Sequence, residues 1–188
     1  AQYLAAEEKV FDEVRTEVTD KLPPEARIES NRYYADSPIY PGRFVQDWNR
    51  SYVLMPSGPP VGAVVLLHGL TDSPYSLRHV ARRYVQDGFV AVAVRAPGHG
   101  SVPSGLAAVE WEQWTAATRL AVRHATALAG PTAPLHLIGF SNGGALAMKY
   151  ALEALEDKAL PRPARIVLFS PMIGITSMAR FAGVFGWP

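Results

Sequence analysis

The sequence predicts an α/β fold, a mostly parallel sheet with helices on both faces. Two observations predict it. Short, continuous apolar runs recur at 62–69, 89–94, 134–140 and 164–170, and runs of that length mark strands buried on both faces. Stretches with helical spacing of apolar residues lie between them, an alternation that builds a parallel sheet from βα units. The chain has 188 residues, 48% of them hydrophobic. That is enough for one domain with a substantial core, and no repeat, low-complexity tract or linker divides it.

The elements follow in order. Residues Gln2–Leu22 place Leu4, Phe11, Val14 and Val18 near helical spacing, with acids elsewhere and Pro23-Pro24 as the stop. This N-terminal amphipathic segment (1–24) is expected to dock on the core. Contact with a membrane surface is the alternative, and the acidic polar face disfavours it. From Ile28 to Pro60 the pattern is irregular. "RYYA" (32–35) and "SYVLM" (51–55) fit antiparallel edge strands before a turn at "PSGPP". "GAVVLLHG" (62–69) is then a core strand, followed by a helix around Tyr75–Gln86. "FVAVAV" (89–94) precedes a long helix over Val109–Leu128. "PLHLIGF" (134–140) precedes a helix over Asn142–Leu155, and "ARIVLFS" (164–170) is the last strand. Trp111 and Trp114, three residues apart, are expected to pack one helical face on the sheet.

Composition removes several function classes. There is no cysteine, so disulfides, thiol catalysis and cysteine-ligated zinc are excluded. The formal net charge is +1 with no basic stripe, which argues against nucleic acid as a partner. No apolar run approaches the roughly 20 residues of a membrane span. The N-terminus does not read as a signal peptide, and the compartment, cytoplasmic or exported, stays open.

Chemistry concentrates at three turns. Gly139-Phe140-Ser141-Asn142-Gly143 matches G-x-S-x-G at a strand-to-helix junction, the context that a nucleophile on a sharp turn requires. Gly139 and Gly143 remove Cβ atoms that would clash in so tight a bend, and Gly144 allows close approach of helix and sheet. The bland alternative is a glycine-rich turn with Ser141 or Asn142 as an ordinary helix cap. "HGLTDSP" (68–74) ends the first core strand with His68-Gly69. Acyl transfer needs amide donors aimed at the tetrahedral oxyanion, each worth about 3 kcal/mol of barrier. Asn142 and Leu70 are the candidates, with Gly69 permitting the approach of the second. "RAPGHGS" (95–101) contributes His99, and both His68 and His99 read as loop-bracing residues. A nucleotide-binding G-x-G-x-x-G spacing is missing from "HGLTDSP".

These motifs in this order, over roughly Val53–Pro171, resemble the α/β-hydrolase superfamily and are most similar to its serine carboxylesterase and monoacylglycerol lipase group. The resemblance implies an acyl-enzyme on Ser141, oxyanion amides from Leu70 and Asn142, no metal and no cofactor. It implies a small-molecule ester substrate, either a monoacyl lipid or a small acyl ester. Amidase, aminopeptidase and thioesterase chemistry share the fold. One departure stands out. The superfamily takes its triad acid and histidine from later in the chain, yet His68, His79, His99, His124 and His136 all precede Ser141. Glu153, Glu156 and Asp157 would lie about 18–24 Å along the helix from Ser141. The triad acid and histidine are therefore expected not to be in this chain. On that expectation, residues 25–188 are the N-terminal portion of a hydrolase domain truncated after a sixth strand, with the cap and last two strands missing. Residues 172–188 would begin the cap and help line an acyl pocket, Met172, Ile173, Ile175, Met178 and Phe181 being plain core otherwise. The alternative from another class is a catalytically inactive binding or scaffold protein.

Overall fold

The computed structural model describes residues 2–174. Five strands form one sheet: β1 (Tyr52–Leu54), β2 (Gly62–Leu67), β3 (Phe89–Val94), β4 (Leu135–Phe140) and β5 (Arg165–Phe169), in spatial order β1-β3-β2-β4-β5. β1 runs antiparallel to β3 with Val53 opposite Val92, and the other neighbours are parallel. Every residue of β2 is buried, as expected for a strand covered on both faces.

The covering follows from the chain's path. β2 steps to β3 on one side, then the chain crosses back over β2 to β4 and continues outward to β5. Right-handed crossovers in opposite directions put their helices on opposite faces. Accordingly α2 (Arg78–Gln86) covers one face, where Leu77 and Ala81 pack on Val64, Leu66 and Ile138. Helices α3 (Trp111–Ala129) and α4 (Asn142–Glu156) cover the other, where Ala117, Ala121, Ala125 and Ala147 meet Val65, Leu67 and Leu137. The reversal falls between β2 and β4. Loops leaving those two strands diverge, which opens the crevice where ligands bind in open α/β sheets.

The N-terminal segment forms helix α1 (Gln2–Val14), continued by a π-type turn at Arg15–Thr19. Its half-buried face carries Phe11, Val14 and Val18, as the spacing places them, but Leu4 stands off it and Glu7 lies within it. Leu4 is half exposed, and the one buried residue of α1 is Glu7. Its carboxylate accepts from the Ser51 amide at 3.1 Å and the Ser51 hydroxyl at 2.9 Å, and pairs with Arg95 Nε at 2.7 Å. Both members of the ion pair are about 95% buried. Hydrophobic periodicity ranks Leu4 above Glu7 because it has no means of foreseeing a partner 88 residues away.

Other elements also depart from expectation. "RYYA" is not a strand: i→i+3 turns run from Ile28 to Tyr40, Tyr33 Oη donates to Ser101 O at 2.9 Å, and Arg32 donates to Gly100 O. Those aromatic and basic side chains serve as anchors for a loop rather than as a sheet edge. The sheet among the described residues thus has five strands, not six. "ARIVLFS" forms β5 as expected, but it pairs with β4 alone among the described residues, and Ile166 and Phe169 are exposed. Trp114 packs at the core and donates to Pro97 O, whereas Trp111 is exposed, its ring facing Lys149. Met172 and Ile173 are exposed rather than core, while Ile175, Met178 and Phe181 lie outside the described residues.

Removing one member of a buried ion pair strands the other charge, a loss of about 3–5 kcal/mol. Glu7→Ala should therefore lower the unfolding free energy by about that amount, while Leu4→Ala, at an exposed position, should cost under about 1 kcal/mol. Equilibrium denaturation of the two variants checks the ranking.

Candidate active site

Ser141 connects β4 to α4 with φ 52° and ψ −116°. A side-chain-bearing residue at positive φ costs of order 1–3 kcal/mol and persists only where its surroundings over-determine it. They do so here. The Ser141 amide donates to Phe169 O at 3.0 Å, and its carbonyl accepts from the amides of Gly144 and Met172, each at 2.9 Å. The turn is thus pinned to its own helix and to the end of β5.

The flanking glycines answer to backbone rather than side chains. A Cβ on Gly143 would lie 2.0 Å from Leu67 O, at the end of β2. One on Gly139 would lie 2.4 Å from Gly143 O. Gly144 differs in detail from expectation: its missing Cβ makes room for Pro171, in the segment after β5, rather than for the sheet. Asn142 opens α4 and is buried. As a first-turn residue, its amide has no acceptor within the helix.

The loop after β2 lies against this turn. A Cβ built on Gly69 would fall 3.5 Å from Ser141 Cβ, so the His68-Gly69-Leu70 and Ser141-Asn142 motifs share one crevice. His68 bridges this loop to the one after β3. Its Nε2 accepts from the Ala96 amide at 3.0 Å, which fixes the tautomer with the proton on Nδ1, and Nδ1 donates to Gly69 O at 2.9 Å. That carbonyl belongs to the same planar peptide as the Leu70 amide. Gripping one end of the plane therefore aims the other.

Burial is the main cause that lowers the His68 pKa, to about 4, and the Gly69 carbonyl only partly offsets it. His68 is thus a neutral ring. His99 is buried beside it, the two ring centroids 5.0 Å apart, and Trp114 packs against His99 from the other side at 5.3 Å. His99 Nδ1 donates to Pro97 O at 2.9 Å. Burial lowers its pKa too, against the opposing pull of the Pro97, Leu70 and Ala96 carbonyls.

Glu153, one of the late acids, accepts hydrogen bonds from Arg119 and Lys149 on the outer side of α4. Burial raises its pKa, but those two cations outweigh it and hold the carboxyl below its usual range. Two further features escape the sequence. Asp72 accepts from the Ser73 amide through Oδ1, while its Oδ2 is buried without a partner. A cavity of about 340 Å³ adjoins this loop, lined by Thr71, Asp72 and His99 together with Arg32, Tyr33 and Asn49. Among the described residues no three His, Asp or Glu side chains gather as a metal site requires.

Residues 58–187 match the family described as serine aminopeptidase S33. The chain belongs to this α/β-hydrolase family. Similar solved structures share the fold. One, from work on two metagenome-derived lipolytic enzymes, is 26% identical with a TM-score of 0.63, over 76% of this chain and 54% of the other. The monoacylglycerol lipase of Paleococcus ferrophilus is 25% identical with a TM-score of 0.52, over 73% of this chain and 51% of the other. A carboxyl esterase from Bacillus coagulans, 16% identical with a TM-score of 0.56, aligns over 71% and 43% and speaks to the fold alone. The chain thus spans about half the length of the solved structures it matches. No curated protein matched.

Two outcomes follow from this geometry. Between pH 6.5 and about 4 an unfolded His68 binds a proton that the folded ring refuses, so stability falls as pH falls through that window, by up to about 3 kcal/mol. His99 and His136, also lowered by burial, act with the same sign. Urea titrations at stepped pH should show this slope, reduced in His68→Gln. Gly143→Ala should fail to yield a native fold by near-ultraviolet dichroism, since both atoms in the clash belong to or sit on backbone.

Proposed function

We propose that the chain carries the nucleophile and the oxyanion amides of a serine ester hydrolase. The observation that carries this reading is the strained Ser141 turn, seated in the same crevice as the Gly69–Leu70 peptide. In the proposed reaction Ser141 Oγ attacks the ester carbonyl. Negative charge develops on the carbonyl oxygen and is met by the amides of Asn142 and Leu70, with the α4 N-terminus adding its dipole. Collapse breaks the ester C–O bond, the serine proton leaves with the departing alcohol, and water then hydrolyses the acyl-enzyme to free acid and Ser141. The strain is what presents the hydroxyl, because a relaxed helix cap would fold it back onto the first-turn amides.

The two similar structures at 25–26% identity concern lipolytic enzymes and a monoacylglycerol lipase, which supports a carboxylic ester, and a monoacyl lipid or small acyl ester in particular. The proposal assigns no proton acceptor among the described residues. His68 has both ring nitrogens engaged, and no histidine follows Ser141. The family description favours a second reading, cleavage of an N-terminal aminoacyl amide on the same serine.

A fluorophosphonate probe followed by intact-mass measurement tests the nucleophile. One adduct, mapped to Ser141 and absent in Ser141→Ala, is the expected result. Hydrolysis of p-nitrophenyl butyrate should fall at least about a thousandfold in Ser141→Ala, and faster turnover of alanine p-nitroanilide would favour the aminopeptidase reading. No adduct and no hydrolysis would point instead to a binding protein that retains the turn.

A further inference from the structure

The geometry points to Glu7, on the N-terminal helix, as a positioning residue for the Leu70 amide. The inference rests on the proposed role of that amide. It goes beyond the family match, because α1 lies wholly outside residues 58–187.

The physical path is short and continuous. The loop Arg95–Ser101 has no ladder of its own and carries two glycines at positive φ, Gly98 and Gly100, so its shape depends on outside anchors. The first anchor is Glu7. It holds Arg95 Nε at 2.7 Å in a site from which both residues exclude water. Held there, Arg95 donates through Nη1 to His99 O at 2.8 Å, and its own amide donates to Ser51 Oγ at 2.9 Å, the hydroxyl that Glu7 also binds. Tyr3, one turn before Glu7, donates to the Arg95 carbonyl. That carbonyl and the Ala96 amide share one peptide plane.

The Ala96 amide then donates to His68 Nε2, and His68 Nδ1 donates to Gly69 O. The Gly69 carbonyl and the Leu70 amide share the next plane. Glu7 and Tyr3 thus set Arg95, which sets Ala96 and His99; Ala96 sets the His68 ring, and that ring sets the tilt of Leu70 N–H. The ring also needs its Nδ1–H tautomer, which the Ala96 donor at Nε2 and the Gly69 acceptor at Nδ1 select together. This path gives the buried carboxylate on α1 its role. An apolar residue at position 7 could fill the same volume but could not hold a guanidinium with its Nη1 turned toward His99.

The test uses the full chain. Wild type, Glu7→Gln, the double variant Glu7→Leu with Arg95→Met, and the control Leu4→Ala are compared in kcat and KM for p-nitrophenyl butyrate. Backbone amide and imidazole nitrogen resonances are recorded alongside. Glu7→Gln should lower kcat 10- to 100-fold with KM changed less than twofold, and should move the Leu70 amide and His68 ring resonances. The double variant removes both buried charges, and should recover thermal stability without recovering kcat, which a merely structural pair would not do. Leu4→Ala should match wild type. A Glu7→Gln protein with kcat within twofold of wild type, and with shifts confined to Ser51 and Arg95, would overturn the inference. If Ser141→Ala hydrolyses as well as wild type, the ester-hydrolase reading fails; if wild type, with no proton acceptor assigned, hydrolyses nothing, kcat decides neither question. The Leu70 and His68 resonances then decide the question of Glu7 by themselves, since they need no turnover.

Discussion

The backbone at Ser141 is the constraint on which the rest of the structure depends. A serine at φ 52° relaxes unless something forbids it, and three separate parts of the fold combine to forbid it. β5 supplies the acceptor for its amide, the start of α4 and the Met172 amide occupy its carbonyl, and the end of β2 presses against Gly143. Each of these contacts exists because β2, β4 and β5 are neighbours in one parallel sheet. The sheet order is therefore a condition for the turn as well as a scaffold beneath it.

The same order explains why the two motifs meet. His68-Gly69 and Ser141-Asn142 are over seventy residues apart in sequence, but their strands are adjacent and parallel, with Leu67 level with Gly139. Two chains leaving parallel neighbours at the same level must share the space above the sheet edge. The reversal of winding between them keeps helices out of that space.

Periodicity made the central strands legible. β3 was readable to the residue, and β2, β4, β5, α3 and α4 to within two residues, because a strand covered on both faces, like β2, leaves a continuous apolar record; α2 begins three residues later than its spacing suggests, and α1 ends at Val14. The glycines around Ser141 were legible for a related reason: a residue without a side chain is an explicit mark of crowding. What stayed hidden was whatever depended on distant partners. "RYYA" has the composition of a strand, yet its tyrosine and arginine reach across to Gly100 and Ser101. Glu7 looks like a solvated acid by residue type although its spacing sets it in line with Phe11, Val14 and Val18, and only Arg95 and Ser51, brought in by the fold, make it a buried one. Trp111 and Trp114 share a spacing, but the helix turns only the second toward Pro97.

The histidines show how burial selects between structure and chemistry. A general base needs a pKa near the working pH and a free nitrogen. His68 has neither: burial drives its pKa to about 4, and both nitrogens are committed to backbone groups of two different loops. Those same properties suit a strut. A ring that refuses a proton across the neutral range keeps one tautomer, one donor and one acceptor, so the Gly69–Leu70 plane does not respond to pH where the histidine would otherwise titrate. Had the ring been exposed, its protonation near pH 6.5 would replace the acceptor at Nε2 with a donor facing the Ala96 N–H, and the two loops would separate. Desolvation, which disqualifies His68 as a base, is what makes it a dependable brace for the amide beside Ser141.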